Sequence, residues 1–427
     1  MRHGLLRKVV LSGGIVSANA LLGLMLTVLL ARALGPENFG FYTFHLSLIL
    51  IMSIPVQAGL PALLIREVAQ AKAKEKWSLI LGINNFATAL VLVTSLSILI
   101  MAFLYFSFFD YSNARLDIYL LGAAIILVPC IALGAIRGAV SRALGEVIYG
   151  QLPEMVIKPI LLLGFVGALY LTDKQSVYSV MAGNIFSSLA ALVVGTLILR
   201  RILCSVVPQD IKVAEYKNNL WFKSAIPFAL IAGFNTLGSQ LDVLMLGWLG
   251  TTKDVGIYKV ASQLSQTVNL CLVAVGMITT PKIAGLFVDE KKHELQRFIT
   301  QTARLILLIS APFFVFFLVF GEYCLKILFG ASYSEAYGLL VVLLIGQFVN
   351  VLAGPVAVIT NMNRKQWITA VAIIVSLFIT YFLNLYLIPR HGAVGAAYAS
   401  ACALAFWNLF LLFHVKSMGL KPTAFGF

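Results

Sequence analysis

Charge is scarce in this sequence. Only 11% of its 427 residues are charged, 60% are apolar, and the mean hydropathy is +0.96. A soluble domain carries about a quarter charged residues, so this shortage excludes a fold that covers its apolar surface with a polar shell. The chain uses lipid as its solvent. Metal and redox motifs are missing too. Cys130, Cys204, Cys271, Cys324 and Cys402 are scattered, with no CxxC pair and no His/Cys ligand spacing; they read as small buried apolar side chains. There is no phosphate-binding loop, no dinucleotide fingerprint and no zinc-protease motif. The five histidines sit on loops and span edges, which gives no nucleophile–base constellation. No loop is long enough to fold as a separate domain. These absences point to a transporter and not an enzyme, with no cofactor and no metal.

Long unbroken apolar runs are what the sequence has in abundance. In a bilayer only helices and closed barrels satisfy their backbone. Runs of this length are helical, unlike the roughly ten-residue alternating segments of a barrel. The expected spans are 9–33, 41–64, 78–106, 117–137, 148–171, 177–200, 221–249, 256–281, 299–321, 335–360, 366–388 and 392–415. Each holds the ~20 residues needed to cross the hydrocarbon core. The first run, Val9 to Leu34, is too long for a signal peptide and ends in no cleavage pattern. The expected fold class is all-α and polytopic, with about twelve transmembrane helices.

The net charge of +14 would suit nucleic acid, but its distribution argues otherwise. One alternating set of loops is basic: Arg2, Arg7 and Lys8; Arg66, Lys72, Lys74 and Lys76; Arg137 and Arg142; Arg200, Arg201, Lys212, Lys217 and Lys223; Lys282, Lys291, Lys292 and Arg297; Arg364 and Lys365; Lys416 and Lys421. The other set holds Arg32, Arg115, Lys174, Lys253, Lys259, Lys326 and Arg390. With Lys158 and Arg304 in inner halves of helices, about 24 of 31 basic residues fall on one side, which the positive-inside rule makes cytoplasmic. Both termini are then cytoplasmic, in a cytoplasmic (cell inner) membrane. Loop lysines beside anionic membrane lipid account for the net charge without nucleic acid.

A weak repeat divides the chain. LGPENFGFY, Leu34 to Tyr42, and LGTTKDVGIY, Leu249 to Tyr258, both read Leu-Gly, a polar turn, then Gly-x-Tyr, at an offset of about 215 residues. Six helices per half is an even number, so the halves enter the membrane in the same sense, as in parallel transporter repeats. The expected organisation is an N-terminal lobe over 1–202, a cytoplasmic linker over 203–220 and a C-terminal lobe over 221–427.

Several blocks carry a family likeness: LARALGPENFGFY from Leu30, AGLPALLIREVA from Ala58, IRGAVSRALGEVIYGQLPEMVIKP from Ile136, QLDVLMLGWLG from Gln240, VGIYKVASQL from Val255 and LNLYLIPRHGAVGAAYASA from Leu383. In this order they resemble polysaccharide and O-antigen flippases of the multidrug/oligosaccharidyl-lipid/polysaccharide exporter superfamily. Lipid II flippases are less similar. They carry extra C-terminal helices, their eighth-helix arginine falls near Gln263 here, and their first-helix arginines have no match in residues 21–27. Drug-exporting relatives share the twelve-helix plan but not the Leu-Gly-Pro-Glu block. The resemblance implies two six-helix lobes with a cavity open alternately to either side.

Charges inside helices cost roughly 2.5–3.5 kcal/mol each and mark candidate sites. Arg66, Arg137, Lys158, Lys259 and Arg304 are the expected substrate-binding cations; Asp242 and Glu154 are the expected ion-coupling carboxylates. Arg66 and Arg137 also suit snorkelling at helix ends. Glu154 and Lys158 also suit a self-neutralising pair four residues apart. An ion pair with Lys259 is the structural alternative for Asp242. Asn and Gln side chains, among them Gln263, Gln266, Asn269, Gln347 and Asn350, suit sugar hydroxyls or helix packing. Gly392, Ala396 and Ser400 form a small-residue packing face. Cations outnumber carboxylates near the membrane interior, and arginine pairs bidentately with phosphate. That balance suits a polyprenyl-diphosphate-linked oligosaccharide better than a cationic drug. The leading expectation is a flippase for such a lipid. An ion-coupled drug exporter is the alternative; a membrane glycosyltransferase lacks the large loop and acidic pair it needs. Expected partners are the lipid-linked oligosaccharide, membrane lipid, H+ or Na+ as coupling ion, and a polysaccharide polymerase.

Overall fold

The computed structural model describes residues 2–108, 117–208, 213–288, 292–363 and 365–424. Arg115, Lys212, Lys291 and Arg364, counted above among loop charges, lie outside them. Every regular element among the described residues is helical, so the chain is a polytopic all-α membrane protein. Its helices are α1 (Arg2–Gln57), α2 (Leu60–Ala73), α3 (Trp77–Phe108), α4 (Ile118–Gly122), α5 (Ala124–Ala143), α6 (Val147–Leu152), α7 (Lys158–Leu171), α8 (Val177–Val206), α9 (Asn218–Leu249), α10 (Thr252–Val288), α11 (Lys292–Phe329), α12 (Ala336–Ala353), α13 (Val356–Met362) and α14 (Gln366–Ser417).

Nine stretches among the described residues are long and apolar enough to span. Two of them contain a break. At 1.5 Å per residue the 52 residues of α14 would run about 78 Å, against a hydrocarbon core of about 30 Å. Gly392, at φ 55°, interrupts it, and the Ser376 hydroxyl donates to the Ala403 carbonyl, so the two arms lie side by side. Gly35, at φ 72°, interrupts α1 in the same way. Glycine is needed at both because an L side chain resists positive φ. Counting α1 and α14 as two passages each, and α10 as one, gives the twelve spans the sequence leads one to expect.

The chain packs as two compact units, one of residues 1–26 and 45–237, the other of residues 27–44 and 238–427. In the first, α5 is central and packs on α2, α3, α6 and α8. Leu60, Leu63, Leu64 and Val68 of α2 are fully buried, at the i, i+3, i+4, i+8 spacing of one helix face. Ser176 and Ser179 form a capping box that starts α8, each side chain accepting the other's backbone N–H. Asp117 starts α4 by accepting the backbone N–H groups of Tyr119 and Leu120, and it also accepts the Tyr178 hydroxyl at 2.6 Å. Burial works to raise the Asp117 carboxyl. The hydrogen bonds from Tyr178, Leu120 and Tyr119, with nearby His45, outweigh it and hold the carboxyl below its ordinary value.

In the second unit α12 is central, against α10, α11 and α14. Residues 27–44 belong here for identifiable reasons. Arg32 donates to the carbonyls of Leu328 (2.7 Å) and Ile327, capping the negative end of the α11 dipole. The Tyr333 hydroxyl donates to the Ala31 carbonyl at 3.1 Å. The two copies of the sequence repeat also meet. A Cβ on Gly40 would lie 1.7 Å from the Thr252 oxygen, and one on Gly256 would lie 2.1 Å from the Pro36 oxygen. The repeated Gly-x-Tyr glycines thus let backbone touch backbone reciprocally. Thr251 and Asp254 cap α10 in a box of their own.

Large apolar side chains point outward on the spans, among them Leu308 at 73% and Val319 at 62% exposure. On a soluble protein such a surface would aggregate; here lipid tails cover it. The cysteines differ in part from expectation: Cys130 is buried, whereas Cys204 and Cys402 are exposed.

Candidate functional site

In the first unit the structure brings three of the expected residues together. Gly134, Gly138 and Gly150 allow α5 and α6 to touch: a Cβ on Gly138 or Gly150 would sit 2.7 Å from the other's carbonyl oxygen. Pro153 then has no N–H to give, and the ladder slips into a π-helical turn over Pro153–Ile157 before α7. Such turns mark functional positions in many helices. This one turns Glu154 onto α5, where its Oε1 fills the space a Gly134 side chain would take, 2.1 Å from that Cβ position. Glu154 lies within electrostatic reach of Lys158 and Arg137, without a direct ion pair to either among the described residues. The pairing expected from their four-residue spacing is therefore loose. The Arg137 guanidinium donates to the Leu192 carbonyl of α8 at 3.2 Å. All three side chains are half-buried. The cleft that Arg137 and Glu154 border is only about 10 Å³, too small for a sugar. Arg66 stands apart, exposed on α2, paired with Glu67 at 2.8 Å and set over the Phe228 ring at 5.3 Å.

In the second unit Asp242 of α9 accepts three hydrogen bonds. Oδ2 accepts the hydroxyls of Ser400 (2.6 Å) and Tyr258 (2.8 Å), and Oδ1 accepts the Asn384 amide (2.7 Å). The Tyr258 and Ser400 hydroxyl oxygens are also 2.8 Å apart; with both protons donated to Asp242, that contact carries no further hydrogen bond. The oxygen of the Asn384 amide, Oδ1, is buried without a partner among the described residues. Sequence reasoning missed these three partners. Tyr258 is visible as the repeat's Gly-x-Tyr tyrosine; Ser400 was read only as a packing residue of α14. The alternative ion pair of Asp242 with Lys259 is not formed. Lys259 is half-buried two turns inside α10, with no hydrogen-bond or ion-pair partner among the described residues. Every donor around Asp242 is neutral, so the carboxylate is a hard oxygen site for a proton or a small monovalent cation. No cluster of three His, Cys, Asp or Glu exists among the described residues.

Arg304 is exposed and lies about three turns inside α11, because that helix starts at Lys292 and not near residue 299. Its Nε donates to the Ala424 carbonyl of the C-terminal segment at 3.0 Å. Gln296 holds the same segment through both the N–H and the carbonyl of Lys421, each at 2.8 Å. Asn269 and Asn350 bond each other at 3.0 Å. A larger cavity in the first unit, about 700 Å³, is lined by Tyr119, Leu120, Ile126, Tyr178, Met181 and Ile185. Among the described residues its lining holds no charged side chain.

Comparison with known proteins gives the family and the fold. The family model described as "Polysaccharide biosynthesis protein" matches residues 5–287, and a model named MatE matches residues 227–389. A putative O-antigen transporter of Shigella flexneri is 24% identical over 385 residues, covering 86% of this chain and 87% of the relative. Two solved structures share the fold. A lipid II flippase in an inward closed conformation has a TM-score of 0.75 at 15% identity, covering 95% of this chain and 87% of its own. An inward-facing multidrug resistance transporter of the MATE family and MOP superfamily has a TM-score of 0.71 at 14% identity, covering 94% of each chain.

Proposed function

The chain belongs to the polysaccharide biosynthesis protein family, and we propose that it flips a polyprenyl-diphosphate-linked oligosaccharide from the cytoplasmic to the outer leaflet by alternating access. The excess of fixed cation inside apolar helices carries this reading. Among the described residues Arg137 and Lys158 face one carboxylate, Glu154, and Lys259 has no acceptor. Unpaired cations in an apolar span are costly; an anionic cargo repays that cost when it arrives. A cationic drug would meet like charge. The match to a putative O-antigen transporter over 86% of this chain supports glycan as the cargo's polar part. Arg66, Arg137, Lys158 and Arg304 serve the cytoplasmic mouth in this reading, with Lys259 nearer the outer side, and Asp242 and Glu154 serve ion coupling. The lobes are 1–202 and 221–427, joined by 203–220.

Charge-removing substitutions are expected to abolish flipping in proteoliposomes at unchanged protein level. Arg137→Lys should retain part of it, because a point charge replaces the planar fork. Full transport by both Arg137→Ala and Arg304→Ala would sink diphosphate capture. The class of cargo is tested by complementation: the chain should restore glycan export to a strain lacking an O-antigen flippase and should not restore drug resistance.

Topology has its own test. In a background without native cysteines, a cysteine at Lys174 should react with an impermeant thiol reagent in intact cells. One at Lys292 should react only after the membrane is opened. Equal labelling of both from outside would reject the cytoplasmic placement of the termini.

A further inference from the structure

The first unit holds a second cationic feature, outside the set just discussed. Where the C-terminus of α2 and the N-termini of α3 and α9 meet, a cavity of about 120 Å³ is lined by Lys74, Lys76, Lys217, Gln70, Glu67 and Trp221. Its sign is unambiguous. Glu67 is already paired with Arg66 at 2.8 Å, which among the described residues leaves the three lysines uncancelled apart from a loose 3.7 Å contact between Lys217 and Glu215. α3 and α9, each 32 residues long, also bring the positive ends of their dipoles to this place.

The cavity is constructed, not left over between loops. The Glu215 N–H donates to the Ser78 carbonyl at 3.1 Å. Gly82 gives this segment its seat, since a Cβ there would lie 1.8 Å from the Glu215 oxygen. That fixes Lys217 and the start of α9. Trp221 is 2% exposed and lies against Phe86, with ring centroids 5.5 Å apart, so the floor is rigid. Leu79 and Ile83 complete an apolar wall.

From this juxtaposition we infer that the α2–α3–α9 pocket binds the phosphate headgroup of an anionic phospholipid, as a site separate from the transported cargo. The ligand has to be anionic and phosphate-sized, because three lysines surround a space too small for a sugar as well. It also has to carry an apolar body, because one wall is Leu79, Ile83 and Trp221 at the end of membrane-spanning helices. A phospholipid of the phosphatidylglycerol type meets both demands, and basic pockets between membrane helices hold such headgroups. A nucleotide does not, because the one aromatic ring among the described lining residues, Trp221, is buried against Phe86 and offers no face for stacking.

The test uses the purified full chain in neutral detergent, titrated with phosphatidylglycerol and with phosphatidylcholine of the same chain length. Retained lipid is read by native mass spectrometry and the thermal unfolding midpoint is followed in parallel. Wild type should retain phosphatidylglycerol in preference, and the Lys74→Gln, Lys76→Gln, Lys217→Gln triple variant should lose roughly tenfold or more of that preference. The matching triple-arginine variant should keep it, which separates loss of charge from misfolding. Equal lipid preference in wild type and the triple-glutamine variant would overturn the proposal. So would inorganic pyrophosphate displacing phosphatidylglycerol at equal concentration, since the apolar wall would then contribute nothing.

Discussion

Gly256→Ala is expected to lose most of the folded protein and, with it, transport. The added methyl would sit 2.1 Å from the Pro36 oxygen, 3.0 Å from the Pro36 carbonyl carbon and 3.2 Å from the Gly40 nitrogen. All three are backbone atoms, so no side chain can rotate away. Overpacking a core by a methylene costs about 1–3 kcal/mol, and a clash between two main chains belongs at the upper end or beyond. Gly40→Ala should behave alike, because its Cβ would lie 1.7 Å from the Thr252 oxygen and 2.7 Å from the Gly256 nitrogen. Gly276 in the same helix α10 supplies the contrast, since nothing lies within 4 Å of its Cβ position. Gly276→Ala should be neutral or stabilising by up to about 1 kcal/mol, the helix-propensity gain. The measurement is the thermal unfolding midpoint and monodisperse yield of detergent-purified protein. A Gly256→Ala variant that accumulates and melts like wild type would show that the crossing is wider than described.

That pair of glycines also marks how far the sequence could be read. The Leu-Gly…Gly-x-Tyr repeat identified two equivalent corners from spacing alone, and the structure makes them one contact. Spans were legible because twenty apolar residues have few other uses. Their ends were less so: α11 begins seven residues before the expected start at residue 299, on the polar stretch Lys292 to Phe298. Hydropathy does not register a helix that continues into water. The π turn at Pro153 was invisible to an argument from period, since it arises from one missing N–H and from the Gly138–Gly150 crossing. Likewise the Arg304 bond to Ala424 joins residues 120 apart in sequence, which no local pattern encodes. The partners of Asp242 come from α10 and both arms of α14. Composition can name an intramembrane carboxylate; only packing says which hydroxyls and amide reach it.

Asp242→Asn is expected to abolish the stimulation of flipping by a proton or sodium gradient while leaving basal flipping in place. The geometry supplies the reason. Asp242 receives three donors, from Tyr258, Ser400 and Asn384, and only a carboxylate can accept all of them. An asparagine would turn an NH2 toward one donor and would carry no charge for a cation to seek. The site would remain packed but lose its attraction for an ion. Basal flipping should survive because cargo still runs down its own concentration difference between the leaflets. An inside-negative potential would add to this, since it drives two negative charges outward by roughly 4–5 kcal/mol per 100 mV. The measurement therefore has to be made in proteoliposomes at zero membrane potential, with one ion gradient imposed at a time. Wild type should respond to one of the two ions and the variant to neither. Stimulation that persists unchanged in Asp242→Asn would remove this residue from coupling. Loss of basal flipping as well, restored by also replacing Lys259, would mean that the two residues pair during the cycle. In this structure they do not, since Asp242 is held by neutral donors and Lys259 has no partner among the described residues, so replacing Lys259 should not rescue Asp242→Asn.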